Sequence, residues 1–432
     1  MSGLILAAPA SGTGKTVTTS ALLRALNRRG VHAAPAKAGP DYIDAAFLTA
    51  AAGRECRNLD LWAMRPATLA GAVAALEKSD IALCEGVMGL YDGIGARGEG
   101  STAELARLTG WPVILVVDAS GIGASIAALI EGYARHAAAP PIAGIILNRV
   151  GSAAHRALLA EALAGQAPLL GALPRQKGLL LPSRHLGLVQ AQEHAALEQF
   201  FNVAADLVEA HIDLKRLVAL AQPARIGEAR DAPPLAPLGQ RIAVARDAVF
   251  AFAYPALLAG WRAAGAEISF FSPLEDQSPT DCDAIYLPGG YPELHAGKLA
   301  AATHFRAGLA RLAARGAVIY GECGGYMVLG ESLIDGSGAP HAMAGLLPLV
   351  TSFSVPRLHL GYRSARLENA CALGRARAVF RGHEFHYASI VEEGAGAPLF
   401  ALADAKGASL GSGGRIVGSV MGSFLHLVDR AD

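Results

Sequence analysis

The stretch that decides the fold of the C-terminal half is Gly316-Ala317-Val318-Ile319-Tyr320-Gly321-Glu322-Cys323-Gly324-Gly325-Tyr326-Met327-Val328-Leu329-Gly330. An apolar run typical of a buried strand breaks at Gly321, and an apolar segment that suits a helix follows Cys323. The pattern predicts a strand, a sharp turn and a helix. Amides that open a helix favour negative charge, so we also predict a lowered thiol pKa and a nucleophilic Cys323. The alternative is a small, buried and inert cysteine, and this stretch alone favours both interpretations equally.

Length and composition indicate a globular protein of two or three domains. The chain has 432 residues, of which 52% are hydrophobic and 17% charged, and its 50 glycines suit many tight turns between strands and helices. Lys+Arg and Asp+Glu number 37 each, without a long block of one sign. We therefore expect no nucleic-acid or membrane-surface partner that binds through bulk charge.

The cysteines and the apolar runs favour a cytoplasmic location. Five cysteines lie far apart without a CxxC pair, which argues against a disulfide framework or a zinc cluster and suits a reducing compartment. They are Cys56, Cys84, Cys282, Cys323 and Cys371. The first residues lack the basic region of a signal peptide, and the apolar run over 111–117 stops at Asp118, well short of a membrane span.

The N-terminal sequence predicts a nucleotide site. An apolar run from Leu4 to Ala8 precedes a glycine-rich loop, and Thr16 to Arg28 has helical spacing. The loop departs from the GxxxxGK[ST] pattern because Pro9 stands in place of the first glycine. It keeps the backbone amides, the ammonium and the hydroxyl that bind phosphates and Mg²⁺ in such loops. The predicted nucleotide-binding residues of the loop are Ser11, Gly12, Thr13, Gly14, Lys15 and Thr16.

Polar side chains at the ends of predicted strands complete this site. Asp41 follows two turn residues, and Glu85 ends the buried strand that starts at Ile81. Because strand ends face the ligand crevice in α/β sheets, Asp41 and Glu85 are predicted to join Thr16 around Mg²⁺. A helix cap is the alternative for Asp41. The strand that ends at Asn148 places an amide that could bind the edge of a purine.

The order of predicted elements indicates two α/β domains. Strands and helices alternate over residues 1–221, with a long helical stretch that ends at Leu220, so this part is a predicted parallel, doubly wound domain. Residues 222–240 are rich in proline and lose hydrophobic periodicity, which predicts a linker. Residues 241–432 form the second predicted domain, which includes a helix over Leu299 to Arg315 and a strand-rich end.

The second domain holds the other groups that a cysteine nucleophile needs. His426 lies at a late strand end and is a candidate base for Cys323. Backbone amides of Gly290, in the turn Leu287-Pro288-Gly289-Gly290, and of Gly324 are candidates for an oxyanion hole. Each feature alone has a structural explanation, but their joint occurrence in one domain favours catalysis.

The chain resembles the cobyrinic acid a,c-diamide synthase family, which joins a dethiobiotin-synthetase-like ATP domain to a class I glutamine amidotransferase domain. The resemblance covers nearly the whole chain and rests on ordered motifs. These are SGTGKT, KAGPDYID, CEGVMGLYDG, LNRVG, RHLGL, VARDAVFAFAYP, LPGGYPEL, YGECGGYMVLG, RGHEFHY and GSFLH. The fold that it implies is a P-loop NTPase-like domain followed by a class I amidotransferase domain.

The resemblance also implies an activity. Glutamine would be hydrolysed at Cys323 with His426 as base, and ammonia would amidate the a and c carboxylates of hydrogenobyrinic or cobyrinic acid, after ATP activates them as acyl phosphates. Lys15 and Thr16 would hold the phosphates of ATP, with Asp41 and Glu85 near Mg²⁺. Tyr42 and Asp44, together with Asp41, would lie by the carboxylate of the corrinoid. A homodimer is a further expectation from the family.

Two features depart from simple expectations. Many class I amidotransferases have Glu two residues after the histidine, and here Val428 stands there, so only a Cys–His dyad is predicted. The run His383-Glu384-Phe385-His386 lacks HExxH spacing, and its histidines would point to opposite faces of a strand, so we assign it to the scaffold and not to zinc.

Two other functions stay open at this stage. One is the same chemistry on another tetrapyrrole or on other carboxylates, as in nickel-sirohydrochlorin diamide or cobyric acid synthases. The other is a nucleotide-switch ATPase that carries an inactive amidotransferase-like domain for interaction.

Overall fold

The structure, a computed structural model, describes residues 1–136, 139–176, 179, 183–184, 187–188, 196–227 and 233–431. The motif RHLGL lies partly outside this description. The chain forms two compact units: the first comprises Met1–Trp62 and Leu69–Arg230, and the second comprises Ala63–Thr68 and Asp231–Asp432. The short segment Ala63–Thr68 thus belongs to the second unit, although the chain on both sides of it belongs to the first.

A parallel sheet forms the centre of the first unit. Its strands are β1 (Ser2–Ala7), β2 (Ala33–Ala38), β3 (Arg57–Leu59), β4 (Ile81–Glu85), β5 (Val113–Asp118), β6 (Ile142–Val150) and β7 (Leu169–Pro174). They lie in the order β3-β2-β4-β1-β5-β6-β7, and every neighbouring pair is parallel. Strand β1 lies between β4 and β5 and is parallel to both. The loop after β1 therefore lies at the carboxyl edge of the sheet, where α/β proteins bind ligands.

Helices connect the strands in this part of the chain. They are α1 (Lys15–Arg28), α2 (Ile43–Ala52), α3 (Pro66–Ala74), α4 (Thr102–Thr109), α5 (Ile126–Arg135), α6 (Ala153–Ala162), α7 (Leu197–His211) and α8 (Leu214–Ala219). The long helix predicted to end at Leu220 is wrong in one respect. The backbone is extended at Ile212, and Asp213 caps a separate helix by accepting a hydrogen bond from the amide of Arg216 at 3.0 Å.

Short strands follow β7. The strands β8 (Ser183–Arg184) and β9 (Gly187–Leu188) form a small antiparallel pair. The strand β10 (Gln222–Pro223) pairs antiparallel with the start of β1. The proline-rich stretch therefore begins as an added strand of the first sheet, which its lost periodicity did not predict.

The second unit contains more strands. They are β11 (Arg241–Ala245), β12 (Glu267–Phe271), β13 (Ala284–Leu287), β14 (Val318–Glu322), β15 (Ser332–Ile334), β16 (Pro340–Ala342), β17 (Leu349–Ser352), β18 (His359–Leu367), β19 (Val379–His386), β20 (Ser389–Glu393), β21 (Ala397–Asp404), β22 (Ser409–Val417), β23 (Val420–Ser423) and β24 (Leu425–Arg430). The main sheet has the order β12-β11-β13-β14-β23-β22-β21-β18-β19-β24. It is parallel from β12 to β23 and antiparallel beyond. A smaller sheet has the order β16-β15-β17-β20.

The helices of the second unit precede or follow its parallel strands. They are α9 (Pro255–Ala263), α10 (Ala296–Ala301), α11 (Thr303–Ala314) and α12 (Gly324–Leu329). The single helix predicted over Leu299 to Arg315 is wrong, because Ala302 leaves the helical region (φ −74°, ψ 76°) and separates α10 from α11. The predicted α/β class with two doubly wound domains is confirmed, as is the strand-rich end.

Each unit has its own apolar core. In the first, Leu4, Leu83 and Val116 of the sheet are fully buried together with Leu22 of α1 and Val208 of α7. In the second, Ile285 and Ile319 of the sheet pack with Tyr326 and Leu329 of α12 and with Phe305 of α11. Within the described part of the chain, no helix is long and apolar enough to cross a membrane.

The close approach of α12 to the sheet predicts a position where a methyl group is not tolerated. A Cβ atom on Gly325 would lie 2.0 Å from the carbonyl oxygen of Leu287, which is backbone and cannot rotate away. We expect Gly325→Ala to lower the free energy of unfolding of the second unit by about 1–3 kcal/mol or more, as measured by denaturant titration. Gly336→Ala is the matched control, since its Cβ would meet no atom within 4 Å. Equal stability of the two variants would contradict the packing described.

Candidate active sites

The loop between β1 and α1 is shaped by glycines in left-handed backbone conformations. Gly12 has φ 78° and Gly14, the N-cap of α1, has φ 93°. A Cβ atom on Gly14 would lie 2.3 Å from the side-chain nitrogen of Asn148. The loop is therefore held close to β6, with its amides at the start of a helix of 14 residues, where anions bind well.

Two side chains at the start of α1 point across the sheet edge towards β4. The ammonium of Lys15 donates to the carbonyl oxygen of Met88 at 2.7 Å, and the hydroxyl of Thr16 donates to Oε1 of Glu85 at 2.7 Å. Burial lowers the pKa of Lys15. The structure thus brings Lys15, Thr16 and Glu85 together, as the sequence predicts.

Lys37 is a site residue that the sequence-based reasoning missed. It lies directly opposite Glu85 on neighbouring strands, with its ammonium 2.6 Å from Oδ2 of Asp44 and 3.2 Å from Oε1 of Glu85. Burial disfavours its charged form, but the carboxylates of Asp44 and Glu85 outweigh burial and raise the pKa of Lys37. A lysine inside the apolar run of β2 was the signal that would have identified it.

The carboxylates beside Lys37 have perturbed pKa values. Burial raises the pKa of Glu85 to about 7, and its Oε2 has no hydrogen-bond partner among the described residues. Burial and the charge of Asp44 raise the pKa of Asp41 to about 6. Asp41 also accepts a hydrogen bond from the amide of Asp44 at 2.9 Å, so it does cap the start of α2, where Tyr42 is the N-cap residue.

A cavity of about 670 Å³ lies beside the loop. Its polar end is formed by Gly12, Gly14 and Lys15, and its apolar end by Leu173 of β7 and by Ala204, Leu207 and Val208 of α7. This combination suits a nucleotide, with phosphates at the loop and a base against the apolar end. Asn148 lines the cavity, but its amide nitrogen donates to the carbonyl oxygen of Thr13 at 2.8 Å, so here it braces the loop.

Two tyrosines also brace the loop, and the sequence did not indicate them. The hydroxyl of Tyr133 on α5 donates to the carbonyl oxygen of Pro9 at 2.8 Å. The hydroxyl of Tyr91 donates to the carbonyl oxygen of Tyr133 at 2.5 Å, and the two rings stack with centroids 5.5 Å apart. These contacts fix the loop at the position where Pro9 replaces the usual glycine.

The second unit places Cys323 at the sharp turn between β14 and α12. Its backbone is in a sterically unfavourable region (φ 47°, ψ −103°), and its amide donates to the carbonyl oxygen of Ser423 at 2.8 Å. Burial raises the pKa of the thiol, and nearby Glu293 adds to this, whereas the amide of Gly324 acts in the opposite direction. The expected lowering of the thiol pKa is therefore wrong, because desolvation exceeds the effect of the helix amides.

The turn at 287–290 lies close both to His426 and to the chain that follows Cys323. A Cβ atom on Gly289 would lie 2.2 Å from Cε1 of His426, and one on Gly324 would lie 3.0 Å from the amide nitrogen of Gly290. Gly289 thus allows the imidazole of His426 to lie close to the turn at 287–290, and Gly324 allows the amide of Gly290 to lie close to the chain after Cys323. Burial, with the nearby His383, keeps the pKa of His426 well below its usual value, so its imidazole is neutral.

The histidines of the run at 383–386 belong to the surroundings of His426. The ring of His383 stacks on that of His426 with centroids 5.0 Å apart, and Nδ1 of His383 lies 3.3 Å from the hydroxyl of Tyr254. The ring of His386 stacks on Phe424, with centroids 3.9 Å apart. These contacts form the scaffold around the strand that carries His426.

Glu322 is a buried carboxylate that the sequence-based reasoning did not use. Its oxygens accept hydrogen bonds from the hydroxyls of Tyr286 at 2.7 Å and Tyr320 at 2.9 Å, and from the amide of Leu427 at 3.1 Å. Burial raises its pKa to about 7. Because Leu427 follows His426, Glu322 ties the strand of the histidine to the strand that precedes Cys323.

A cavity of about 520 Å³ lies in the second unit, and its lining includes charges of both signs. Among the lining residues are Arg357, Arg363, Glu384, Glu393, Ser423 and Phe424. Arg363 donates to Glu384 at 2.7 Å. The charge of Glu384 also raises the pKa of Cys323, which places this wall of the cavity within electrostatic range of the thiol.

Family models match both halves of the chain. Residues 4–189 match the CobQ/CobB/MinD/ParA nucleotide binding domain, and residues 241–432 match the CobB/CobQ-like glutamine amidotransferase domain. These matches confirm the predicted types of the two domains, and the first implies nucleotide binding.

Curated relatives match along the whole chain. The hydrogenobyrinate a,c-diamide synthase of Brucella anthropi is 55% identical over 435 residues, which cover 99% of this chain and 99% of the relative. That of Rhizobium meliloti is 53% identical over 435 residues and 100% of both chains. That of Rhodobacter capsulatus is 53% identical over 433 residues, 99% of this chain and 98% of the relative.

The contact between Tyr133 and Pro9 predicts a measurable effect on nucleotide affinity. Tyr133→Phe removes one hydrogen bond that holds the loop, so we expect ATP to bind about two- to tenfold more weakly in calorimetric titration. Tyr387→Phe, a partly buried tyrosine of the second unit, is the control and should leave the affinity unchanged. An unchanged affinity in Tyr133→Phe would show that the hydroxyl does not position the loop.

Proposed function

Because this chain belongs to the hydrogenobyrinate a,c-diamide synthase family, we propose that it amidates the a and c carboxylates of hydrogenobyrinic acid. The similarity along the full chain, together with two separate reactive sites, is the observation that carries this proposal. The substrates would be the corrinoid, ATP and glutamine, and the reaction belongs to cobalamin biosynthesis. The enzyme would be a glutamine-hydrolysing carbon–nitrogen ligase.

Each amidation consists of two half-reactions. A carboxylate oxygen of the corrinoid attacks the γ-phosphorus of ATP, which forms an acyl phosphate and releases ADP. Ammonia then attacks the acyl carbon, phosphate leaves, and the amide loses one proton. The ammonia comes from glutamine, which water converts to glutamate at the second site.

The residues after β1 would hold the nucleotide. Amides of Ser11 to Gly14 would contact the phosphates, and Lys15 would exchange the carbonyl oxygen of Met88 for phosphate oxygens. The apolar end of the cavity would accept the base.

Thr16, Asp41 and Glu85 fit a Mg²⁺ ion, which would neutralise charge on the transferred phosphoryl group. The best support is Oε2 of Glu85, a buried oxygen without a partner among the described residues, on a carboxyl group whose Oε1 already contacts Thr16. Lys37 opposes the effect of burial on this carboxyl group and favours its ionised form, which a ligand to a divalent cation requires.

The carboxylate of the substrate would enter beside Asp41, Tyr42 and Asp44. Lys37 holds Asp44 at 2.6 Å and lies opposite Glu85, so its ammonium is next to the proposed phosphoryl-transfer position. A cation there would also stabilise the negative charge of an acyl phosphate.

At the second site, Cys323 would attack the side-chain carbonyl of glutamine. Since burial raises the pKa of the thiol, its proton must move to a base as the sulfur–carbon bond forms. The neutral imidazole of His426 would accept that proton and return it to the departing ammonia. Amides of Gly290 and Gly324 would stabilise the oxyanion, and water would then hydrolyse the thioester.

The cavity with Arg357, Arg363, Glu384 and Glu393 would bind the amino-acid end of glutamine. That end carries one ammonium and one carboxylate, and the cavity offers groups of both complementary charges.

The family resemblance also supports a homodimer, which analytical ultracentrifugation would test.

Replacement of the cysteine separates glutamine hydrolysis from amidation. We expect Cys323→Ala to lose glutamine-dependent amidation by about a thousandfold or more while ammonia-dependent amidation stays near that of the unmodified enzyme. Product amides and released glutamate are measured in parallel. Cys371→Ala, which removes a cysteine outside the site, is the control. Undiminished use of glutamine by Cys323→Ala would rule out its role.

The substrate is tested by incubation with ATP, Mg²⁺ and glutamine, followed by mass spectrometry of the tetrapyrrole. We expect two successive amidations of hydrogenobyrinic acid. Cobyrinic acid and nickel-sirohydrochlorin are compared at the same concentration. Conversion of either compound in place of hydrogenobyrinic acid would show that this compound, and not hydrogenobyrinic acid, is the substrate. Lys15→Ala should abolish amidation of whichever compound is converted.

A further inference from the structure

The strand that carries His426 contains a β-bulge. Strand β24 is at one edge of its sheet and pairs antiparallel with β19. The Cα pairs across the two strands are His383 with His426, Gly382 with Leu427, Arg381 with Asp429, and Phe380 with Arg430. Val428 has no opposite residue and is therefore the extra residue of the bulge.

The bulge changes which side chain shares a face with His426. Residues paired across a ladder lie on the same face of the sheet, and His383 and Arg381 lie on one face because they are two positions apart. Asp429 therefore shares the face of His426, as a residue two positions after the histidine would in a regular strand. In this register, Asp429 and not Val428 lies on the face of His426.

Asp429 is fully buried and is held by Arg65. Nε and Nη2 of Arg65 donate to its Oδ1 at 3.0 and 2.8 Å, and the amide of Arg65 donates to Oδ2 at 2.8 Å. The amide of Arg430 donates to Oδ1 at 2.9 Å. The guanidinium also donates to the carbonyl oxygen of Pro233 at 3.2 Å. The carboxylate is thus committed to Arg65, in the segment Ala63–Thr68 of the second unit.

We propose that Arg65 and Asp429 are positioning residues of the glutaminase site. Their ion pair holds the bulged strand that presents His426, and it compensates a carboxylate on the same face as the imidazole. Without Arg65, that buried carboxylate would lose the guanidinium that binds it, and its negative charge would favour a protonated His426. The inference rests on the proposed roles of Cys323 and His426 in glutamine hydrolysis.

The other titratable groups around His426 come from several elements. They are His383 and His386 of β19, Glu322 of β14, which contacts the amide of the next residue, Leu427, and Tyr254, which contacts His383. The two histidines oppose protonation of His426. Loss of Arg65 would remove the guanidinium that compensates Asp429. The negative charge of Asp429 would then favour protonation of His426, which is opposite to the effect of the two histidines.

The test compares Arg65→Met with Arg65→Met/Asp429→Asn in the full chain. We expect Arg65→Met to lower glutamine-dependent kcat by about tenfold or more and to leave ammonia-dependent kcat within about twofold. The acid limb of the pH profile of glutaminase kcat should move up by about one pH unit, because His426 is protonated more readily. Asp429→Asn in the double variant should return the limb to its original pH.

A pair of matched controls isolates the effect. Arg241→Met removes the arginine of an exposed Arg–Asp pair, with Asp283 at 2.9 Å, and should change neither kcat nor the pH profile. Arg65→Lys keeps the charge, so its acid limb should stay in place even if its kcat falls. If circular dichroism shows that Arg65→Met does not fold, Arg65→Lys takes its place in the measurement of glutamine-dependent kcat.

Two results would overturn the inference. One is an unchanged glutamine-dependent kcat in Arg65→Met, and the other is an acid limb that moves equally in the single and double variants. Both differ from a failure of the proposed glutaminase itself, in which Cys323→Ala would still use glutamine.

Discussion

The constraint on which both sites depend is the cost of a buried charge. A carboxylate or ammonium removed from water is destabilising by several kcal/mol unless partners compensate it. Lys37 is compensated by Asp44 and Glu85, and Asp429 by Arg65, while Glu322 accepts hydrogen bonds from two tyrosines. Lys37, Glu85 and Glu322 lie at or next to the carboxyl ends of parallel strands, so their compensating contacts also fix the edge that carries the candidate sites.

Both units use a strand, a tight turn and a helix, but they use the turn differently. In the first, glycines with positive φ turn the backbone so that amides are available to phosphates. In the second, a non-glycine residue, Cys323, occupies an unfavourable conformation, and neighbouring glycines leave room for His426 and Gly290. In the proposed function, the first turn would bind phosphates with its backbone, whereas the second would present one side chain to a base.

Burial also explains which electrostatic expectation failed. A helix terminus beside Cys323 favours a thiolate, but the desolvated site favours the neutral thiol more strongly. The same desolvation keeps His426 neutral and therefore able to accept a proton.

The order of elements, the phosphate loop, the turn at Cys323 and the α/β class were evident from contiguous residues, because periodicity and turn chemistry are local properties. The helix breaks at Ile212 and Ala302 were not evident, because helical spacing continues across both of them. At the first break Asp213 caps a new helix, and at the second the backbone of Ala302 leaves the helical region. The roles of three further residues depend on partners that are distant in sequence. Lys37 contacts Glu85, 48 positions away, Tyr133 contacts Pro9, 124 positions away, and Arg65 contacts Asp429, 364 positions away. The sequence alone thus determined the two domain types and predicted candidate residues for their sites. Only the tertiary structure decided which charges are compensated, and that a bulge places Asp429 and not Val428 on the face of the sheet that carries His426. Register and burial depend on segments that are distant in sequence and meet only in the folded chain.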